Sequence, residues 1–203
     1  MNYLTFIKKT RGLRHVNRFT QNPSIKSNNV AEHSYYVALY TDILCSECDD
    51  IDDVMKANAL VYAIHHDTHE GVSVELPANV KRKNKEHCRA IEEEATRELY
   101  TGSLYADDRV QAIVKVADLL DVILYAAEEI SMGNTFYRTI VCEVLSILHQ
   151  VLIDTRNKFN IDMYNTANHI IVSLGLDFSL GIDSDMESTT HIHKELGDIG
   201  DKL

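Results

Sequence analysis

Apolar residues recur three and four positions apart through most of the chain, and a two-residue alternation persists nowhere. This spacing predicts helices over residues 2–19, 30–48, about 50–70, 84–101, 106–131, 135–157 and 161–174. The breaks between them carry turn chemistry: "TQNPSIKSNN" after the first, Gly71 after the third, then Thr101-Gly102-Ser103 and Gly133-Asn134. Ser27 or Asn29 is placed to cap the second helix, and the acidic residues at 49–53 suit the start of the third. "VSVELPANVKRKN" reads as a connection with Pro77 and a basic run. Beyond Gly175 the sequence turns polar, so the expected organisation is one domain over 1–180 and a polar tail over 181–203. The predicted fold class is all-α, a compact bundle of six to eight helices.

A length of 203 residues fits that single domain, and only two Pro, eight Gly and no Trp fit long helices with few interruptions. The net charge, 20 − 31 = −11, argues against bulk attraction to nucleic-acid polymers or anionic membranes. An anionic ligand would have to be held by a local cluster of Lys, Arg or metal. No apolar stretch has the length of a membrane span and the N-terminus has no continuous apolar segment, so the expected location is the cytoplasm of a bacterial or virus-infected cell. Four cysteines do not make a disulfide framework, and Cys45-Ser-Glu-Cys48 lacks the second pair or βαβ context that gives this spacing chemical meaning.

One stretch breaks the apolar pattern. "AIHHDTHE" (63–70) puts three histidines and two carboxylates directly after "ANALVYAI". Buried ionisable groups need partners. At about 100° per residue, a continuous helix would set His66, Asp67 and Glu70 in one sector and His65 and His69 in the next. An adjacent His-Asp pair can ligate a metal, with Glu70 beside it; the alternative is a hydrated helix end. Two further positions bear on the choice. His33 sits in the first turn of an otherwise apolar helix, and Asp118 and Asp121 lie in the most apolar helix of the chain, "AIVKVADLLDVILYAA". Alone, His33 reads as a structural histidine, and either aspartate could pair with Lys115. Together, His33, His66, Asp67 and Asp118 supply two imidazoles and two carboxylates from three helices, a donor set suited to a transition metal with positions open for water.

The order His … His-Asp … Asp resembles the HD-domain metal-dependent phosphohydrolases, and the local strings resemble the bacterial 5′-deoxynucleotidases among them. "VNRF" (16–19), "NVAEHS" (29–34), "HHDTHE" (65–70), "ELPANVK" (75–81), "VKVADLL" (114–120) and "EEISMGN" (128–134) fall in family order over roughly residues 10–135. The resemblance implies an HD-domain helical bundle that hydrolyses the 5′ phosphoester of free deoxynucleotides. The product besides deoxynucleoside would be phosphate or, as in viral relatives acting on dATP, triphosphate. It implies His33, His66, Asp67 and Asp118 as ligands of one divalent cobalt, manganese or zinc ion, with further Mg or Co accompanying a polyphosphate. It implies Glu70 as the proton-transfer residue and Glu75 as a second catalytic acid, where the family commonly has Asp. Arg18 and Lys81 match phosphate-side basic positions, and Phe19 stands where bacterial members have Trp, beside the sugar. A homo-oligomer, dimer or larger, is also implied. Two alternatives keep the scaffold: a catalytically silent nucleotide-binding regulator, and an HD-type di-iron oxygenase, which needs extra His and Asp ligands in recognisable order.

Overall fold

The computed structural model describes residues 3–73, 83–99 and 106–173, together with Val80 and Gly175. Among these residues there are seven α-helices and no strand: α1 (Tyr3–Gly12), α2 (Val30–Ser46), α3 (Asp53–His65), α4 (Lys85–Leu99), α5 (Asp108–Ser131), α6 (Tyr137–Phe159) and α7 (Tyr164–Ser173). Two 3-10 turns, Leu13–His15 and Thr68–Gly71, complete the list. The all-α expectation holds. The tail over 181–203 lies outside the described residues.

α5 is the central element because nearly every side of it is apolar. Its buried residues include Ile113, Val116, Leu120, Ile123 and Ala126, and it packs most extensively on α6, then on α2 and α3. Burying a Leu or Ile side chain contributes about 1.5–3 kcal/mol, so this contact dominates the core. α6 answers with the stripe Tyr137, Val141, Leu145, Leu148 and Leu152, spaced three and four apart as its amphipathic pattern requires. α7 closes the open end with Ala167 and Ile171.

The helix starts follow side-chain capping. Asn29 Oδ1 accepts from Glu32 N at 3.0 Å, Asp52 Oδ1 from Met55 N at 2.7 Å and Asp107 Oδ1 from Val110 N at 2.9 Å. Two predicted helices end earlier than their periodicity suggested. The first stops at Gly12, and Val16 is already extended. Asn17 and Asn29 then form an isolated antiparallel bridge, with Arg18 N donating to Asn28 O at 2.8 Å and Val30 N to Val16 O at 3.0 Å. Residues 17–29 thus make a loop whose closure ties Arg18 to the start of α2. The third helix stops at His65: His66 Nδ1–H donates back to the Ala63 carbonyl at 2.7 Å, and Asp67 turns to φ −107°, ψ 12°.

Gly71 ends the following turn where α1 passes close by. A Cβ there would sit 2.8 Å from the Lys9 carbonyl oxygen, so only glycine fits without a backbone shift. Cys45 and Cys48 are both buried and unpaired, and burial pushes the Cys45 thiol up to about 11. That thiol is protonated at neutral pH, so the C-x-x-C spacing carries no thiolate chemistry. Among the described residues no helix is long and apolar enough to cross a membrane.

Gly71→Ala is expected to lower stability by about 1–3 kcal/mol through overpacking against Lys9, read from urea denaturation midpoints; an unchanged midpoint would mean α1 is free to retreat. A second expectation concerns Glu129, which is fully buried in α5. Burial acts to raise its carboxyl, but hydrogen bonds from Ile25 N, Lys26 N, Asn134 and Tyr125 outweigh it and hold the group below its ordinary 4.5. A depressed folded-state value gives stability that is present above the unfolded value and lost as pH falls through the folded one. Glu129→Gln should therefore flatten the acid limb of the stability–pH curve, and an identical limb in the two proteins would remove Glu129 as its source.

Candidate metal centre

The break at the end of α3 brings the sequence-predicted donors together. A continuous helix would carry His66 and Asp67 around its own axis. The turn instead aims both at the first turn of α2 and the middle of α5. His33 Nε2 lies 3.3 Å from His66 Nε2, 3.4 Å from Asp67 Oδ2 and 3.4 Å from Asp118 Oδ1, and His66 Nε2 lies 3.2 Å from Asp67 Oδ2. Donors about 2.1 Å from a metal stand about 3.0 Å apart in an octahedron and about 3.4 Å in a tetrahedron. The distances from His33 to its three neighbours and from His66 to Asp67 match the spacing of donors around one small divalent ion, and His33, His66 and Asp118 form a cluster able to hold one, with Asp67 beside it.

Three of the four donors are held from behind. His33 is fully buried and its Nδ1–H donates to Asp121 Oδ2 at 2.6 Å, which leaves Nε2 facing the cluster. His66 is fixed the same way by its bond to the Ala63 carbonyl. Backing of this kind sets the tautomer and ring orientation of a metal-binding imidazole. Asp118 Oδ2 accepts from Lys115 Nζ at 2.6 Å, while Oδ1 faces His33 and lies 3.8 Å from Arg18 NH2.

The electrostatics report how negative this pocket is. Burial and the Arg18 guanidinium act to lower the His33 pKa, but the carboxylates of Asp118, Asp121 and Asp67 outweigh them and raise it from 6.5 to about 10. Burial opposes ionisation of Asp67 and Asp118 too. His66 and His33 nonetheless hold Asp67 well below the usual carboxylate range, and Lys115, His33 and Arg18 do the same for Asp118. Both aspartates are therefore anions.

Glu70 is buried in the turn Thr68–Gly71, where its carboxylate clusters with those of Asp67 and the ring of His69. His69 Nδ1–H donates to the His66 carbonyl at 3.1 Å, and its Nε2 reaches to 3.9 Å from Glu92 Oε1 on α4. His65 points the other way, 6.3 Å from the Phe6 ring of α1, and burial lowers its pKa. Of the two histidines the sequence left without a role, His65 packs and His69 links the turn to α4. Arg18 NH1 is buried with no hydrogen-bond partner among the described residues. Phe19 takes φ +55° and stacks on Tyr125 with ring centroids 5.0 Å apart. Glu75 and Lys81 lie outside the described residues. The sequence reading missed Glu92, Tyr125 and Glu129 as neighbours of the site; the only signal for the last of these was its place in "EEISMGN".

Residues 3–166 match the model of the 5′-deoxynucleotidase YfbR-like family. The chain is similar to the 5′-deoxynucleotidase YfbR of Salmonella arizonae, at 29% identity over 62% of this chain and 73% of the relative. It is 33% identical to the 5′-deoxynucleotidase of Shewanella oneidensis over 57% and 69% of the two chains. A third relative is the 4′-phosphooxetanocin A phosphatase of Priestia megaterium, 26% identical over 60% and 71%. The fold matches that of the cyanophage S-2L HD phosphohydrolase DatZ, solved with dA and one catalytic Zn2+ ion, at TM-score 0.51 and 15% identity over 100% and 98% of the chains. PH0347 protein from Pyrococcus horikoshii OT3 gives TM-score 0.53 at 19% identity over 97% and 99%.

Asp121→Asn is expected to weaken zinc or cobalt binding about 10–100-fold, measured by chelator competition. Unchanged affinity would show that His33 is oriented without this carboxylate.

Proposed function

This chain belongs to the YfbR-like 5′-deoxynucleotidase family, and from that premise we propose that it is a metal-dependent phosphohydrolase of free 2′-deoxynucleotides. The carrying observation is the approach of His33 Nε2 to His66 Nε2, Asp67 Oδ2 and Asp118 Oδ1 at 3.3–3.4 Å and of His66 Nε2 to Asp67 Oδ2 at 3.2 Å, with the Arg18 guanidinium alongside. These four side chains would hold one divalent zinc, cobalt or manganese ion. When bound, such an ion supplies Lewis acidity toward a phosphoryl oxygen and a water acidified toward neutral pH.

The remaining work falls to the chain's own residues. Arg18 offers a planar fork to the phosphate, and its buried NH1 gains a partner when phosphate arrives. Placing charge-complementary donors before the reaction is the main lever in phosphoryl transfer, whose transition state spreads charge over the equatorial oxygens. Glu70, buried one turn from Asp67, moves the proton between the attacking water and O5′. Phe19 forms the wall beside C2′. Glu75 and Lys81 enter this reading from the sequence alone, as a second acid and a second phosphate contact.

The primary reaction is hydrolysis of a deoxynucleoside monophosphate to deoxynucleoside and phosphate, as the names of the curated relatives support. Release of triphosphate from dATP is the second reading. It is favoured by the basic run "VKRKNK" (80–85), which suits a longer anion; a polyphosphate would bring an accompanying Mg or Co ion of its own. The reading goes with a cytoplasmic homo-oligomer acting on the free nucleotide pool.

Product analysis over dNMPs, dNTPs and ribonucleotides with Zn, Co, Mn and Mg separates the two reactions. Phosphate from dAMP with dATP inert supports the first, and triphosphate from dATP the second. Binding of both without turnover would make the chain a regulator, and iron-dependent oxygen uptake an oxygenase. His66→Ala and Asp67→Ala should each abolish metal binding and turnover. Glu70→Ala should keep the metal and lose at least about a hundredfold in kcat; near-normal kcat in that variant would remove its role.

A further inference from the structure

The loop that carries Arg18 and Phe19 is gripped from below by the end of α5. Glu129 has no exposed surface, yet its carboxylate accepts from Ile25 N at 2.8 Å, Lys26 N at 2.7 Å and Asn134 Nδ2 at 2.6 Å. Asn134 Nδ2 also donates to the Pro23 carbonyl at 2.5 Å. Tyr125, one turn before Glu129, donates its hydroxyl to the Lys26 carbonyl at 2.7 Å and lays its ring parallel to Phe19, 6° between the planes. Tyr137 meets the Phe19 ring edge-on at 6.0 Å, and its hydroxyl hydrogen-bonds the Ser24 hydroxyl. Tyr125 and Glu129 of α5, Asn134 in the turn after it and Tyr137 at the start of α6 therefore hold loop residues 19 and 23–26.

This grip acts on a strained residue. Phe19 holds φ +55°, a left-handed conformation that residues with a Cβ keep only where their surroundings impose it. The same ring has the Arg18 guanidinium carbon 5.5 Å from its centroid. Arg18, Phe19 and Tyr125 form one column that ends beside Asp118. A carboxylate buried without a cation must be repaid by hydrogen bonds. Those made by Glu129 go to the loop amides of Ile25 and Lys26 and to Asn134 and Tyr125, which bond the loop in turn, so its charge stiffens the segment rather than attracting a ligand.

We propose that Tyr125 and Glu129 are positioning residues that fix the Arg18–Phe19 wall against the nucleotide, and that discrimination against a 2′-hydroxyl depends on this clamp as well as on the Phe19 ring. The proposal rests on the reading that the sugar and phosphate lie along Phe19 and Arg18. A 2′-hydroxyl adds one atom to the sugar, so a wall able to recoil by a fraction of an ångström stops excluding it. Among the described residues neither Tyr125 nor Glu129 makes a hydrogen bond, ion pair or ring contact with His33, His66, Asp67 or Asp118.

The test compares wild type, Tyr125→Phe and Glu129→Gln as full-length, metal-loaded proteins. Steady-state kinetics are measured on the best deoxynucleotide and its ribonucleotide counterpart, zinc affinity by chelator competition, and melting temperature in parallel. Tyr125→Phe keeps the stacked ring and loses only the hydroxyl, so it remains informative where the charge-neutralising variant folds poorly. Both variants should raise KM for the deoxynucleotide about tenfold, keep kcat within about twofold, leave zinc affinity unchanged and narrow the deoxy-to-ribo ratio of kcat/KM. A lowered melting temperature with KM and the ratio unchanged in both would overturn the clamp and leave a purely structural role. Wild type that turns over no nucleotide would instead overturn the reading of the site and the clamp with it.

Discussion

Everything in this molecule is arranged around one buried imidazole. His33 stands at the start of α2 with no exposed surface, donates from one nitrogen to Asp121 and presents the other to His66, Asp67 and Asp118. Two carboxylates of α5 and the turn after α3 therefore meet at a single ring. Burying that many ionisable groups is costly. It is tolerated because His33, His66 and Asp118 have backing partners and because apolar packing on α5 supplies the stability that the site consumes. The core and the site are the same helices seen from opposite sides, so a loss in one is felt in the other.

Much of this was legible in the sequence because it follows from periodicity and residue chemistry. The helical spacing predicted the all-α class, and the conspicuous placement of His33 and Asp118 in apolar helices marked positions that need partners. The His66-Asp67 pair was equally visible, but its geometry was not. A wheel drawn through residues 65–70 assumes a helix that the His66 side chain in fact ends by taking the Ala63 carbonyl. The first helix failed for a related reason: Leu13, Val16 and Phe19 keep helical spacing while their backbone closes a loop. Periodicity reports which face is apolar and not whether the hydrogen-bond ladder continues.

Asp121 stood out in the sequence as a second aspartate one turn from Asp118 in an apolar helix, and the structure sets it behind His33. Glu129 escaped notice since its partners are backbone amides of residues 25 and 26, about a hundred positions away. Backbone donors leave no trace in composition, and long-range pairs leave none in local pattern. The left-handed Phe19 was illegible for the same reason: nothing in "NRFTQ" offers the glycine that such a conformation usually announces.

The two oxygens of Asp118 look into different media. Oδ1 faces the buried cluster, whereas Oδ2 is held by Lys115, whose side chain is 52% exposed. A partly exposed ammonium is shielded by mobile ions over a Debye length of about 8 Å at physiological ionic strength; the donors beneath it are not. Part of the charge balance of an interior site is thereby set by the surrounding electrolyte. The buried cluster and the exposed Lys115 pull on one shared carboxylate, so background salt acts on the cluster without entering it.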